Sequence, residues 1–162
     1  MRSMICFLLD NNIDPLCWKR DVQSAYRRVP ISPAHHIFTA VVYAHCGQLF
    51  WSQHLTMPFG SISACWGFHQ CANVIQAVLL WFFAVPVARF IDDFYGAQNK
   101  NARQSNGFFV SMVMSLFGFP ADEAKSCDLA SQMLLLGAKI SMAWARSMRT
   151  SCLLYTSDAA DE

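Results

Sequence analysis

Charge is scarce in this sequence. Only 14% of its 162 residues are Asp, Glu, Lys or Arg, and they leave a net charge of +1. That balance excludes an overall basic field of the kind that draws a protein to nucleic acid by charge alone. Unbroken apolar length is lacking too. The best stretch, residues 74–88, contains Gln76 and Pro86 and runs into Arg89 and two acids. It falls short of the ~20 residues that a bilayer crossing needs, so no membrane partner is expected. The apolar run in residues 1–9 is too short for a signal peptide and has no small-residue cleavage site. The seven cysteines include no CxxC pair. Cys65 and His69 stand one helical turn apart, which does not make a zinc site. Reduced thiols in an intracellular protein, cytoplasmic or nuclear, are the expectation. There is no internal repeat and no long low-complexity linker.

What the chain has in plenty is apolar side chains, 54% of the total, more than a free-standing soluble domain usually carries. Either a partner covers part of that surface, or the chain is a piece of something larger. Its length suits one domain and suffices for a core.

Against this apolar background one stretch stands out: Phe90-Ile91-Asp92-Asp93-Phe94-Tyr95. Short apolar segments meeting at a charged corner read as a β-hairpin. Two aspartates are ordinary residues at a solvated tip. A tip usually carries Gly or Asn, however, and these acids are flanked by aromatic rings. Carboxylates wedged between apolar strands lose hydration, and hydrogen bonds or a cation must offset the loss. A hard divalent ion such as Mg2+, held by one or two carboxylates and substrate phosphates, would do so.

A third acid is available. Residues 16–22 read as a strand with Asp21 near its far end, where a side chain can project into a cleft; a helix cap for the turn at Ser24 is the local alternative. Residues 1–9 read as the last turns of a helix ended by Asp10-Asn11-Asn12. Residues 37–43 read as a β-branched strand, turned at His45-Cys46-Gly47 into a partner over 48–56. Residues 57–63 break that strand, and Ser61 or Ser63 caps a helix reaching Phe83. That helix is apolar nearly all round and therefore expected to be buried. Residues 101–117 place Ala102, Phe109, Met112, Val113, Leu116 and Phe117 at helical spacing, with Gly118 and Pro120 as the stop. A polar loop with Lys125 follows, then a strand over 133–140 interrupted by Gly137. Strands with helices on one face of a mainly antiparallel sheet make an α+β layout. Asp21 and Asp92-Asp93 converge if their strands are neighbours. Three such acids suit two Mg2+ ions ~3.5–4 Å apart, an arrangement that drives phosphoryl or nucleotidyl transfer.

In this order and at these spacings the segments resemble the palm of a reverse transcriptase, an RNA-directed DNA polymerase of retroelements. Asp21-Val22-Gln23-Ser24-Ala25-Tyr26-Arg27-Arg28-Val29-Pro30-Ile31 resembles that family's first carboxylate motif. Met57-Pro58-Phe59-Gly60-Ser61 resembles its template- and nucleotide-side loop. Phe90-Ile91-Asp92-Asp93 resembles its paired-aspartate box, with Phe where Tyr is commoner. Gly118-Phe119-Pro120 with Lys125-Ser126, and Leu135-Leu136-Gly137-Ala138-Lys139-Ile140, look like the two later palm motifs. The resemblance covers residues 1 to 141.

The resemblance implies a role for each matching position. Asp21 and Asp92 would bind two Mg2+ ions, with Mn2+ as the alternative ion, and Asp93 would be a weaker ligand or would orient the site. Tyr26 would lie under the sugar and clash with a 2′-hydroxyl, the group that separates RNA from DNA; a core tyrosine is the alternative. Phe59 and Gly60 would line the incoming dNTP, Gly60 because a side chain would block close approach. Lys125 would donate a proton to pyrophosphate, or would be a plain surface lysine. Gln53 would reach the nucleotide or template. The implied partners are an RNA or DNA template with its primer, a dNTP, and the remainder of the polymerase.

The chain also departs from the family. Only about twenty residues precede Asp21, where the family has a basic fingers segment, and the thumb is absent; both shortfalls would explain the weak charge and the apolar surplus. Ser63-Ala64 stands where many members have Ser-Pro. Residues 152–162 look like read-through of a sequencing-library adaptor, so residues 1–151 are taken as the palm fragment. Two rivals stay open: an RNA-templated RNA polymerase, against which Tyr26 argues, and a decayed or domesticated palm kept as a binding piece.

Overall fold

The computed structural model describes residues 1–102 and 105–142; the expected boundary at residue 151 and the tail 152–162 lie outside them. Helix α1 (Arg2–Asp10) leads into strand β1 (Pro15–Asp21). Two 3-10 segments, Ala25–Arg28 and Pro33–Thr39, precede the hairpin of β2 (Ala40–His45) and β3 (Gln48–Gln53). Helix α2 (Ile62–Phe83) is followed by β4 (Ala88–Phe90) and β5 (Asp93–Asn99), then by α3 (Asn106–Leu116). Three short strands close the order: β6 (Cys127–Ala130), β7 (Gln132–Leu135) and β8 (Ala138–Ser141). The fold is α+β. Its central sheet runs β4-β5-β1-β6 with every neighbouring pair antiparallel.

The alternation of a strand assigns β1's residues to two faces. Trp18 points towards α2 and α3, into a core with Phe68, Ile75, Leu79, Val110 and Phe94. Cys17 points the other way, into a smaller cluster that α1 and the β7–β8 hairpin complete with Ile5, Met133 and Ile140. Arg20 shares Trp18's face and is buried. A buried guanidinium must be paired. It is: Nη2 donates to both carboxylate oxygens of Asp128 at 2.7 Å, and Nε donates to Ser111 Oγ on α3 at 2.7 Å. Nη1 donates to the carbonyls of Lys19 and Cys127. One side chain thus ties β1, β6 and α3 together. The β1–β5 register is fixed beside it. Trp18 sits opposite Gly96, and a Cβ there would come within 2.6 Å of the indole.

Four expectations need correcting. Residues 37–39 are 3-10, and β2 begins only at Ala40; Pro33 starts the turn, and Thr39 Oγ1 donates to the carbonyls of His36 and His54. The stretch 133–140 is a hairpin, because Leu136 and Gly137 both take positive φ, 51° and 77°, the two-residue turn that reverses a strand. Helix α2 is not buried all round: Ala64, Phe68, Ala72, Ile75 and Leu79 face the core, while Trp66, Trp81 and Phe82 are exposed. Helix α3 begins at Asn106, capped by Ser105 Oγ, which accepts from Gly107 N–H. Its inward residues are Gly107, Val110, Val113 and Met114, and Leu116 and Phe117 face out. The apolar surplus in the composition is therefore on the surface, along α2 and over the β2–β3 hairpin, whose twelve residues are all exposed.

Candidate active site

Strand β1 ends at Asp21, β5 begins at Asp93, and the two residues stand directly opposite each other. Opposed residues of an antiparallel pair project from the same face, with Cβ atoms about 4.5–5.5 Å apart. Asp92 occupies the turn between β4 and β5, and its carbonyl accepts from Val22 N–H at 3.2 Å. That bond draws the turn against the end of β1. The loop after α3 closes a third side. Gln23 N–H donates to the Pro120 carbonyl at 2.9 Å, and Asp122 N–H to the Asp21 carbonyl at 2.8 Å. The same loop brings Lys125 Nζ to 3.4 Å from Asp21 Oδ2 and 3.8 Å from Asp122 Oδ2.

The electrostatics follow from this crowding. Burial pushes the Asp21 carboxyl above its ordinary range; the neighbouring Asp93 carboxyl adds to the rise, and Lys125 opposes it. Burial raises Asp92 as well, a backbone hydrogen bond opposes, and the charge of Asp21 adds. The Lys125 ammonium is held above its usual value, chiefly by Asp21. Lys19 Nζ lies 3.0 Å from Asp93 Oδ1. That buried oxygen accepts no well-aligned hydrogen bond, so charge holds this pair together.

The donor set is all carboxylate oxygen, the chemistry that suits Mg2+. Among the described residues, no three His, Cys, Asp or Glu side chains form a ready-made metal cage. Mg2+ held by one or two carboxylates with substrate phosphates does not need one. Two carboxyls kept protonation-prone by burial are groups that a divalent cation would relieve.

A second group of residues is built around Tyr26. Tyr26, in the 3-10 segment after β1, meets the exposed Phe59 ring at 5.8 Å and the buried Phe68 ring at 5.9 Å. Burial raises its phenol, with Cys65 and the charge of Asp92 contributing. Gly60 has φ +88°, and nothing lies within 4 Å of where its Cβ would be; the backbone angle alone calls for glycine. The structure therefore gathers Asp21, Asp92, Asp93 and Lys125 at one sheet end, with Tyr26 in the segment that follows β1 and Phe59, the chain neighbour of Gly60, against its ring. Gln53 lies apart, exposed at the end of β3 opposite Ala40.

Two side chains escaped the sequence reading. Lys19 carried a usable signal, since it stands two residues before Asp21 and so on the same strand face. Arg89, whose guanidinium reaches the turn before Asp92, carried none, because its partners His69 and Asn73 meet it only through the way the preceding helix packs.

No protein-family model and no curated protein matches the chain. Among solved structures it is similar to the foamy viral protease-reverse transcriptase in complex with an RNA/DNA hybrid, with a TM-score of 0.59 and 17% identity. The likeness covers 78% of this chain and 16% of that one. It shows a shared polymerase-like fold. Among the described residues no helix is long and apolar enough to cross a membrane.

Proposed function

We propose that the chain is a palm segment of an RNA-directed DNA polymerase, whose reaction joins a dNMP to a primer 3′-hydroxyl. The observation that carries this reading is the register that sets Asp21 opposite Asp93 with Asp92 in the adjoining turn. Asp21 and Asp92 would hold two Mg2+ ions, and Asp93, already paired with Lys19, would orient the site. Bound there, the ions would lower the pKa of the primer hydroxyl and neutralise the triphosphate. Lys125, exposed and 3.4 Å from Asp21, is the donor to the leaving pyrophosphate. Tyr26 lies under the sugar and rejects a 2′-hydroxyl. Phe59 and Gly60 flank the base, and Gln53 reaches the template strand. Template, primer and the rest of a polymerase are the partners.

One observation favours a second reading, a palm retained as a binding piece: Lys19 and Lys125 already neutralise part of the acid cluster. Titration calorimetry of the chain with Mg2+, in the presence of RNA template, DNA primer and dNTP, separates the two. The polymerase reading requires saturable Mg2+ binding that Asp92→Asn removes, and a preference for dNTP over NTP. Absence of both leaves the binding-piece reading; equal use of NTP points to an RNA polymerase. Primer extension by this chain alone is expected to be weak.

A further inference from the structure

Ile91 is an anomaly in the turn that carries Asp92. Its φ is +51°, a region that β-branched residues almost never enter. No glycine or asparagine is there to make the conformation easy. Such an outlier persists only where its surroundings enforce it, and outliers of this kind gather at functional sites.

The enforcing contact comes from Arg89. Its Nη1 donates to the Ile91 carbonyl at 2.9 Å. Its Nη2 donates to Asn73 Oδ1 at 2.7 Å and approaches His69 Nδ1 at 3.1 Å. A guanidinium only donates, so His69 accepts there and keeps its proton on Nε2. His69 and Asn73 stand four apart on α2, one above the other on a single helix face. The Arg89 guanidinium carbon also lies 6.0 Å from the centre of the buried Phe94 ring, while Nε is buried without a partner. The side chain is thus held by its two ends even though its middle goes unsatisfied. The carbonyl it grips belongs to the Ile91–Asp92 peptide, a rigid plane. Fixing that oxygen fixes the direction in which Asp92 leaves the turn.

We infer that Arg89 is a positioning residue: clamped to His69 and Asn73 of α2, it locks the Ile91–Asp92 peptide and so aims the Asp92 carboxylate into the cation site. The inference rests on the reading of Asp92 as a metal ligand. Removing an outer partner of a ligand costs roughly 10–100-fold in metal affinity.

Mn2+ binding to the whole chain, followed by electron paramagnetic resonance, tests it. Arg89→Met is expected to weaken Mn2+ at least roughly tenfold with an unchanged circular dichroism spectrum. Arg89→Lys, which keeps one donor for the Ile91 carbonyl, falls between Met and wild type. Asn73→Ala, on the exposed face of α2, gives a smaller loss and decides the matter if Arg89→Met does not fold. If Asp92→Asn abolishes Mn2+ binding while Arg89→Met and Asn73→Ala bind like wild type, the clamp is wrong and the site survives. If the wild-type chain binds no Mn2+, or Asp92→Asn binds it unchanged, the site itself is wrong and the clamp falls with it.

Discussion

Asp21 and Asp93 face each other across β1 and β5 at the place where both strands end. Like charges directly opposite in a sheet are destabilising. The pair persists because Lys19 and Lys125 approach it from two sides and because the rest of the strand pair is well packed, with Trp18 fully buried over Gly96. The sheet therefore holds a charge arrangement that works against its own stability, a common property of sites shaped for a ligand.

Stability should consequently fall as pH rises. The folded-state pKa values of Asp21 and Asp92 are raised above the ordinary 3.8, so the folded chain binds more protons than the unfolded one. Their contribution is fully present below 3.8 and is lost as pH climbs through the raised values. Thermal unfolding of the metal-free chain across the acidic range should show this decline. Millimolar Mg2+ or Mn2+ should flatten it. A stability that rises steadily over that range contradicts the assignment.

Replacing Lys19 by Met should tighten divalent cation binding and weaken the metal-free fold. The ammonium now competes for Asp93 Oδ1 at 3.0 Å. Its removal leaves an uncompensated, mostly buried carboxylate. A gain of about fivefold in Mn2+ affinity corresponds to roughly 1 kcal/mol, the upper end for a partly exposed ion pair. Calorimetry on wild type and Lys19→Met measures it. If affinity drops instead, Lys19 helps to build the site rather than stand in for the ion.

Gly96→Ala should cost stability without touching the acids directly. A methyl group there meets the Trp18 ring at 2.6 Å, and that ring, fully buried, has nowhere to move. Overpacking of this kind costs roughly 1–3 kcal/mol. Urea unfolding would read it as a lower midpoint at unchanged slope.

The acids were legible because they are local: a strand end, a charged corner between apolar segments, and spacing suited to neighbouring strands. The turns were harder. Cys46-Gly47 and Leu136-Gly137 both take positive φ twice over, but the first falls between a β-branched strand and an alternating one while the second has Leu where Asn or Gly gives the usual signal. So 133–140 read as one strand. The faces of α2 and α3 were obscured because neither helix contains Asp, Glu, Lys or Arg. Without charges, periodicity alone cannot tell which apolar side meets the core. The clamp of Arg89 on His69 and Asn73 depends on how α2 lies across β4, and no local pattern encodes that.

Tyr26 offers a way to separate a gate from a core residue. Its ring is wedged between exposed Phe59 and buried Phe68, so Tyr26→Ala removes packing in either case and should lower stability by roughly 1–3 kcal/mol, less than the cost for a fully buried aromatic. Tyr26→Phe keeps the ring and should leave stability nearly intact. The two roles diverge on nucleotide choice. If the ring excludes a 2′-hydroxyl, Tyr26→Ala narrows the preference for dATP over ATP by roughly tenfold or more, and Tyr26→Phe keeps it. If the ring only packs, both variants bind the two nucleotides in the wild-type ratio, because lost stability alone lowers both affinities together. Competition binding of dATP and ATP in Mg2+, on samples checked for folding, reads that ratio directly.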